Sequence, residues 1–263
     1  MKVANVYNHL NAREFLIVNK EKQFNEIKTC LSNVDANRFL KISCDSSKLG
    51  QIFYSQGDIN AAIKDALNGV DWHERRIAYY VTGDEQVSRE IINIFDSEKQ
   101  KSLLEERLVS YYSTYNQIDF QKDRIAVEVQ FGKYFSVAYD LHVKHTFFYS
   151  RNDIDVGIEI IPTKAMELHM DTGVPWFENE VTNVIREGRT NPPVPILIMG
   201  IEPESIRSKE PTDYSDDEIV EILKNSDIQK FKSKVAATKD KANEVSLARI
   251  EKIEKCIRIL EAH

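Results

Sequence analysis

Two carboxylates and an amide, Asp119, Glu128 and Gln130, are the residues of this sequence whose types and spacing best suit chemistry. Ile125, Val127, Val129 and Phe131 alternate with Ala126, Glu128 and Gln130. That period of two predicts a strand whose apolar face packs on a core while the other face presents the carboxylate and the amide side by side. Asp119 closes the preceding extended run, residues 116–120, and the polar Gln121-Lys122-Asp123 between the two runs predicts a hairpin turn. In an antiparallel pair this spacing brings both carboxylates to one end and one face of the sheet, within reach of a single hard divalent cation.

Chemically this is half of a magnesium site. Mg²⁺ prefers oxygen ligands, keeps several waters, and is commonly held by one or two carboxylates while substrate phosphates complete its octahedron. Asp119 is the expected direct ligand, the main-chain carbonyl of Val129 a second oxygen, and Glu128 a ligand or the group that orients a water beside the ion. The reaction class that follows is phosphodiester hydrolysis. Spacing alone leaves a plainer reading open, in which an Asp at a hairpin and a Glu-x-Gln on a strand face are simply solvated.

What separates the two readings is resemblance along the chain. The Asp119, Glu128, Gln130 pattern looks like the PD-(D/E)xK nuclease motif in the variant where Gln replaces Lys. Its surroundings resemble the BglII/BstYI group of type II restriction endonucleases, and most of all the BstYI-like branch. The matching stretches include Tyr7-Asn8-His9-Leu10-Asn11, Gly50-Gln51-Ile52-Phe53-Tyr54-Ser55, Tyr79-Tyr80-Val81-Thr82 and the run 117–144. They continue through Ile154-Asp155-Val156-Gly157-Ile158-Glu159 and Asn183-Val184-Ile185-Arg186-Glu187-Gly188-Arg189 to Pro193-Val194-Pro195 and Gly200-Ile201.

The resemblance implies a Mg²⁺-dependent endonuclease, with Mn²⁺ able to substitute. It further implies a homodimer on double-stranded DNA, cutting a palindrome with a GATC centre ahead of the G to leave a four-base 5′ overhang. The BstYI-like branch favours a purine-GATC-pyrimidine site, and a host methyltransferase of the same specificity is the expected companion. Gly132 and Lys133 correspond to positions that approach base edges, where a lysine can donate to guanine O6 and N7. Met170-Asp171-Thr172-Gly173 aligns with a second recognition loop and offers Thr172. Lys133 is as readily a phosphate contact, since most protein hydrogen bonds to DNA go to the backbone. Glu74 is either a further acid near the metal, as related nucleases recruit from an upstream helix, or a surface residue paired with a neighbouring arginine.

Gln130 offers only neutral hydrogen bonds where a lysine would bring charge to the pentavalent phosphorane, so positioning and charge stabilisation fall mainly to the metal. The proton of the attacking water can pass to a hydroxide on the metal, to Glu128 or to a neighbouring phosphate. Two other functions stay open: a repair or structure-selective nuclease, and a DNA-binding module with a decayed nuclease core.

The elements that must position these residues are α/β, a restriction-endonuclease-like core of mixed sheet flanked by helices. Residues 1–115 read as mostly helical, with apolar stripes over 12–31 and 58–67 and one or two more helices over 86–108. Residues 45–51 read as an exposed loop. After the hairpin, the pattern predicts a helix over 134–149, a strand over 154–161, helices over 163–170 and 176–186, and a strand over 194–201. His142 and His145 lie one turn apart on the first of these helices and are expected to reach solvent or a packing hydrogen bond.

Residues 1–204 are expected to form the catalytic and DNA-binding domain and 205–263 a helical extension. The extension has balanced charge, no Gly and one proline, Pro211. Ser215 with Glu218 forms a capping-box signature for a helix through Leu223, and a longer helix is expected over 227–260, with Ile250, Ile253, Ile257 and Leu260 on one face. It is expected to dock on its own domain or to support the dimer.

With 263 residues, 42% hydrophobic and 29% charged, the chain can bury a sizeable core. No apolar N-terminal segment or membrane-length run is visible, which predicts a cytoplasmic protein. Cys30, Cys44 and Cys256 follow no zinc-ligand spacing and read as small buried hydrophobes. The formal net charge of −7 runs against a DNA partner, but net charge ignores distribution; a basic cleft with acidic outer faces still binds a duplex, with steep salt dependence.

Overall fold

The computed structural model describes residues 1–262, leaving aside the side chain of Asp240. Its strands are β1 (Lys2–His9), β2 (Leu40–Ile42), β3 (Ile52–Tyr54), β4 (His73–Thr82), β5 (Tyr111–Lys122), β6 (Ile125–Val129), β7 (Val156–Pro162) and β8 (Ile196–Glu202). Six of them form one sheet in the order β1-β8-β7-β6-β5-β4, while β2 and β3 pair separately. β6, β7 and β8 run parallel at its centre, and antiparallel pairs flank them on both sides. The central strands are near-continuous apolar runs because helices cover both faces.

The helices are α1 (Ala12–Asn19), α2 (Glu21–Asn33), α3 (Gln56–Asn68), α4 (Glu85–Ile91), α5 (Ser97–Glu106), α6 (Phe135–Tyr139), α7 (His145–Ser150), α8 (Lys164–Glu167), α9 (Phe177–Glu187), α10 (Asp216–Lys224), α11 (Ile228–Thr238) and α12 (Glu244–Glu261). A π-helical turn, Asp140–Lys144, joins α6 to α7 in one continuous helix. One face of the sheet, with Ile125, Val127, Val129, Ile158, Ile160 and Met199, packs against Leu16, Ile27, Ile59 and Ile63 of the first three helices. On the other face, Ala126 meets Phe148 of α7, and Ile196 and Ile198 meet Val137, Leu141 and Phe177.

The N-terminal part is less helical than expected. It contributes β1 and β4 to the two edges of the sheet as well as the β2–β3 pair. β4 hides its strand character because, as an edge strand, it buries little, and His73-Glu74-Arg75-Arg76 shows no apolar alternation. The expected helix over 12–31 breaks at Lys20 into α1 and α2.

In the extension, the capping box of Ser215 and Glu218 is present at the start of α10. The single long helix expected over 227–260 is instead a pair: α11 ends in a 3₁₀ turn, Lys239–Lys241, and Asn243 caps α12 by accepting from the Ser246 N–H. Lys232 pairs with Glu261 and Lys239 with Glu254, so the two helices run antiparallel. Ile219, Leu223, Phe231, Ile250, Ile253 and Ile257 are buried in the same apolar cluster as the sheet. Cys30 and Cys256 are buried and Cys44 is partly so.

Candidate active site

The hairpin that carries the site is tighter than the sequence suggested. β5 extends through Lys122, and the turn is Asp123 and Arg124, both with positive φ (46° and 65°), the conformation of a two-residue hairpin whose twist matches its strands. Arg124 holds this strained turn by donating to both carboxylate oxygens of Asp155 just before β7, at 2.9 and 2.7 Å. The ladder pairs Lys122 with Ile125, Gln121 with Ala126 and Phe120 with Val127, and its register continued by one residue sets Asp119 opposite Glu128. Pairing stops there, so β5 and β6 part at the two carboxylates.

A β-bulge aims Asp119. On the β4 side, His73 pairs with Gln121 and Arg75 with Ile118, so Asp119 and Phe120 together face Glu74. An extra residue of this kind bends a strand and redirects its side chains. Ile118 consequently packs on the α7 side and Phe120 on the α1–α3 side. Asp119 Oδ2 accepts from the Val129 N–H at 3.1 Å, tying the first carboxylate to the residue whose carbonyl is the expected second donor. Asp119 also lines a cavity of about 160 Å³ with Glu74, and with Asn60 and Lys64 from α3. Glu74 therefore comes from a bulged edge strand rather than a helix, and it does reach the neighbourhood of Asp119.

Glu128 is not on an open strand face. It is 1% exposed, because the α6–α7 helix lies over that side of β6. Its Oε2 is 3.1 Å from Lys144 Nζ, which also lies 2.7 Å from Asp140 Oδ1, while Glu128 Oε1 has no hydrogen-bond partner. Burial, then Asp119 and Asp140, push the Glu128 carboxyl well above its usual range against the pull of Lys144; burial raises Asp140 as well. Burial alone would lower Lys144, but Glu128 and Asp140 outweigh it and hold the ammonium charged. Lys144 is thus shared by two carboxylates, while Asp119 and Glu74 line their cavity with Lys64, so acidic groups outnumber ammonium groups at the site.

Gln130 lies one residue past the end of β6, where its N–H still donates to Ile160 O at 2.9 Å, and its side chain reaches Asp140, which shares Lys144 with Glu128. Its Oε1 accepts from the Gly132 N–H at 2.8 Å and its Nε2 donates to Asp140 Oδ2 at 3.3 Å. Gly132 leaves room for this fold-back, since a Cβ there would stand 2.7 Å from Gln130 Oε1 and push the amide aside. Gly132 and Lys133 form an exposed loop ahead of α6. The Tyr134 N–H donates to Gly173 O at 2.8 Å, which brings this loop against the Thr172 loop. Thr172 is exposed and close enough to Asp45 to help lower its carboxyl, so the 45–51 loop lies near the same rim, although Leu49 and Gly50 within it are buried.

Of the two histidines only His145 departs from expectation. His142 pairs with Glu187 at 2.8 Å, but His145 is fully buried and has no hydrogen-bond partner on either ring nitrogen. It lies flat on Gly157, where a Cβ would be 2.6 Å from its Nδ1, and 3.4 Å from Glu159 Oε2. Burial pushes its pKa down to about 3 and raises Glu159 well above the carboxylate range, so this contact joins two neutral groups. Lys144 and Asp140 escaped the sequence reading. Their only signal was an i, i+4 charge pair on a predicted helix, which is usually a solvated pair.

Among the described residues no three His, Cys, Asp or Glu side chains converge as a metal cluster. The donors present still fit a hard cation that needs few protein ligands: Asp119, the unpartnered Glu128 oxygen and the carbonyl at the end of β6. The excess of carboxylates over cations is what such an ion neutralises.

A family model, restriction endonuclease BglII/BglIII, matches residues 4–201. Among solved structures, restriction endonuclease BglII complexed with a DNA 16-mer matches with a TM-score of 0.52 at 21% identity, covering 76% of this chain and 79% of that one. Free BglII matches with a TM-score of 0.47 at 18% identity, over 77% and 81% of the two chains. No curated protein sequence matches the chain.

Proposed function

Because the chain belongs to the BglII/BglIII restriction endonuclease family, we propose that it cleaves double-stranded DNA at a palindromic site using Mg²⁺ held by Asp119, Glu128 and the Val129 carbonyl. The enzyme class, a type II site-specific endonuclease, follows from the family itself. The observation that supports the metal and the residues is the register that sets Asp119 opposite Glu128 where β5 and β6 part, with one buried oxygen of Glu128 left without a partner.

When bound, Mg²⁺ supplies stabilisation of the charge that builds on the phosphoryl oxygens and lowers the pKa of nearby water. Asp119 is pre-positioned by the Val129 N–H, so little side-chain freedom is lost on engagement. Glu128 has one oxygen held by Lys144 and one free, which suits it to orient the attacking water and accept its proton. Gln130 acts at one remove, bracing Asp140 and the Gly132 loop. Mn²⁺, with the same oxygen preference, substitutes for Mg²⁺.

The joined loops of Lys133 and Thr172 are the proposed base-reading surface, as BglII itself was crystallised on DNA. Each strand of a palindrome needs one site, which calls for a homodimer. The likeness of the motifs to the BstYI-like branch supports purine-GATC-pyrimidine, cut ahead of the G with a four-base 5′ overhang, and a host methyltransferase that protects the same sequence. Among the described residues no helix is long and apolar enough to cross a membrane, and cytoplasmic action on DNA accords with that.

The test is digestion of unmethylated phage DNA with Mg²⁺ by the protein and by Asp119→Ala, with fragment ends sequenced. Discrete GATC-centred ends that vanish in the variant are expected. No cleavage by folded protein with either Mg²⁺ or Mn²⁺ would remove the nuclease reading.

A further inference from the structure

Gln130 leaves the strand without the positive charge that a lysine there would bring, and a different element delivers one to the same carboxylate. Lys144 reaches in from the covering helix, with its Nζ 3.1 Å from Glu128 Oε2 and 2.7 Å from Asp140 Oδ1. It is the only basic side chain in an ion pair with Glu128 among the described residues. The Gln130 amide, by contrast, is spent on Gly132 and Asp140.

Three features bring the ammonium there. The wide turn Asp140–Lys144 interrupts the α-helix at this point, a departure that recurs at functional sites because it redirects side chains. His145, the next residue, lies flat on Gly157, allowing the helix to approach β7 closely. Asp140, one turn earlier, holds both the ammonium and the Gln130 amide, so a single carboxylate couples the helix to the motif position.

We propose that Lys144 is a positioning residue that replaces the strand lysine absent at position 130, fixing the Glu128 carboxylate and supplying positive charge beside it from the helix. This rests on the endonuclease reading above. A purely structural ion pair would tolerate neither removal nor relocation of its lysine, whereas an electrostatic role tolerates relocation to the strand.

The experiment compares Lys144→Gln, Gln130→Lys and the double exchange Gln130→Lys with Lys144→Gln, by single-turnover cleavage and by calorimetric titration of each free protein with Mg²⁺. Lys144→Gln is expected to slow cleavage about 10²-fold, the usual effect of losing one stabilising group. Its Mg²⁺ affinity is expected to rise about tenfold, because a unit charge no longer opposes a divalent ion a few ångströms away. Gln130→Lys alone places two ammonium groups on one carboxylate and is expected to lose both rate and Mg²⁺ affinity. The double exchange is expected to recover at least about tenfold in rate over Lys144→Gln, and to return Mg²⁺ affinity to the wild-type value.

An exchange variant that folds but cuts no faster than Lys144→Gln would overturn the proposal. So would Mg²⁺ affinity that falls together with rate in Lys144→Gln. If Lys144→Gln does not fold, the exchange variant is read directly against wild type, and a folded but inactive exchange variant is again fatal. Should the wild type cut no DNA, the endonuclease reading fails by itself, and the Mg²⁺ titrations still decide where the charge comes from.

Discussion

Glu128 and Glu159 stand side by side in neighbouring parallel strands, in register, and both are buried beneath the same helix. Two ionised carboxylates cannot share so dry a space. Burial pushes both carboxyls well up, but Glu128 has Lys144 within 3.1 Å, whereas neither oxygen of Glu159 has a hydrogen-bond partner, so Glu159 is the one with no cation in contact to oppose its protonation.

That assignment fixes a pH dependence. Glu159 is raised by burial above its ordinary value of 4.5, so above pH 4.5 the folded state holds a proton that the unfolded chain has released, and stability falls as pH rises. His145 is lowered from 6.5 to about 3, so between these values the unfolded chain holds the extra proton and stability rises with pH. The two contributions oppose each other between pH 4.5 and 6.5. Glu159→Gln removes only the falling one. Relative to wild type, its stability should climb across that window by up to about 1.4 kcal/mol per pH unit in urea unfolding. Parallel curves for the two proteins would show that Glu159 is ionised in the fold.

Gly157 sets how closely the helix approaches. A methyl group there would overlap the His145 ring at 2.6 Å and push the helix outward, carrying Lys144 away from Glu128. Gly157→Ala is expected to destabilise the fold by about 1–3 kcal/mol, the usual effect of overpacking. It should also slow cleavage more than a control substitution of equal destabilisation away from the helix. Equal rates in the two would uncouple helix position from the site.

Much of this site was legible because a hairpin is local. The alternation from Ile125 to Phe131 and a turn before it were enough to expect Asp119 and Glu128 at one end of the sheet, but their register depends on the turn lying at Asp123 and Arg124 rather than over 121–123. The bulge was not legible, since the extra residue at Asp119–Phe120 is defined only against β4, a strand whose polar sequence conceals it. Nor was the burial of Glu128, because the helix that covers it approaches through Gly157, and a glycine in a strand does not announce what lies on it. Lys144 and Asp140 became visible only once that helix was docked. The break between α11 and α12 carried one faint signal, the helix-capping type of Asn243, with no glycine or proline to mark it.

The extension offers a test of domain organisation. If residues 1–204 fold alone, a chain ending at Glu204 should unfold cooperatively. Instead, Ile219, Leu223, Phe231, Ile250, Ile253 and Ile257 lie in the same apolar cluster as the sheet. Each such side chain contributes about 1.5–3 kcal/mol when buried, and whole domains are stable by only about 5–15 kcal/mol. The shortened chain is therefore expected to be insoluble or to bind hydrophobic dye without a cooperative transition. A sharp thermal transition would make the extension a separable appendage.

Lys133 has two candidate DNA partners, and they differ in measurable ways. Its loop is fastened to the Thr172 loop through the Tyr134 N–H and Gly173 O, and its exposed ammonium lies 5.8 Å from the Phe135 ring centroid. A lysine that reads guanine loses about 1–3 kcal/mol of specific binding when truncated, with non-specific binding little changed. A lysine on phosphate weakens binding to every sequence and flattens the dependence of log K on log salt by about one unit. The expected result for Lys133→Ala, measured with Ca²⁺ in place of Mg²⁺ so that no strand is cut, is the first. The second would leave base reading to Thr172 and its neighbours, and would make Lys133 part of the charge that lets an acidic protein hold a duplex.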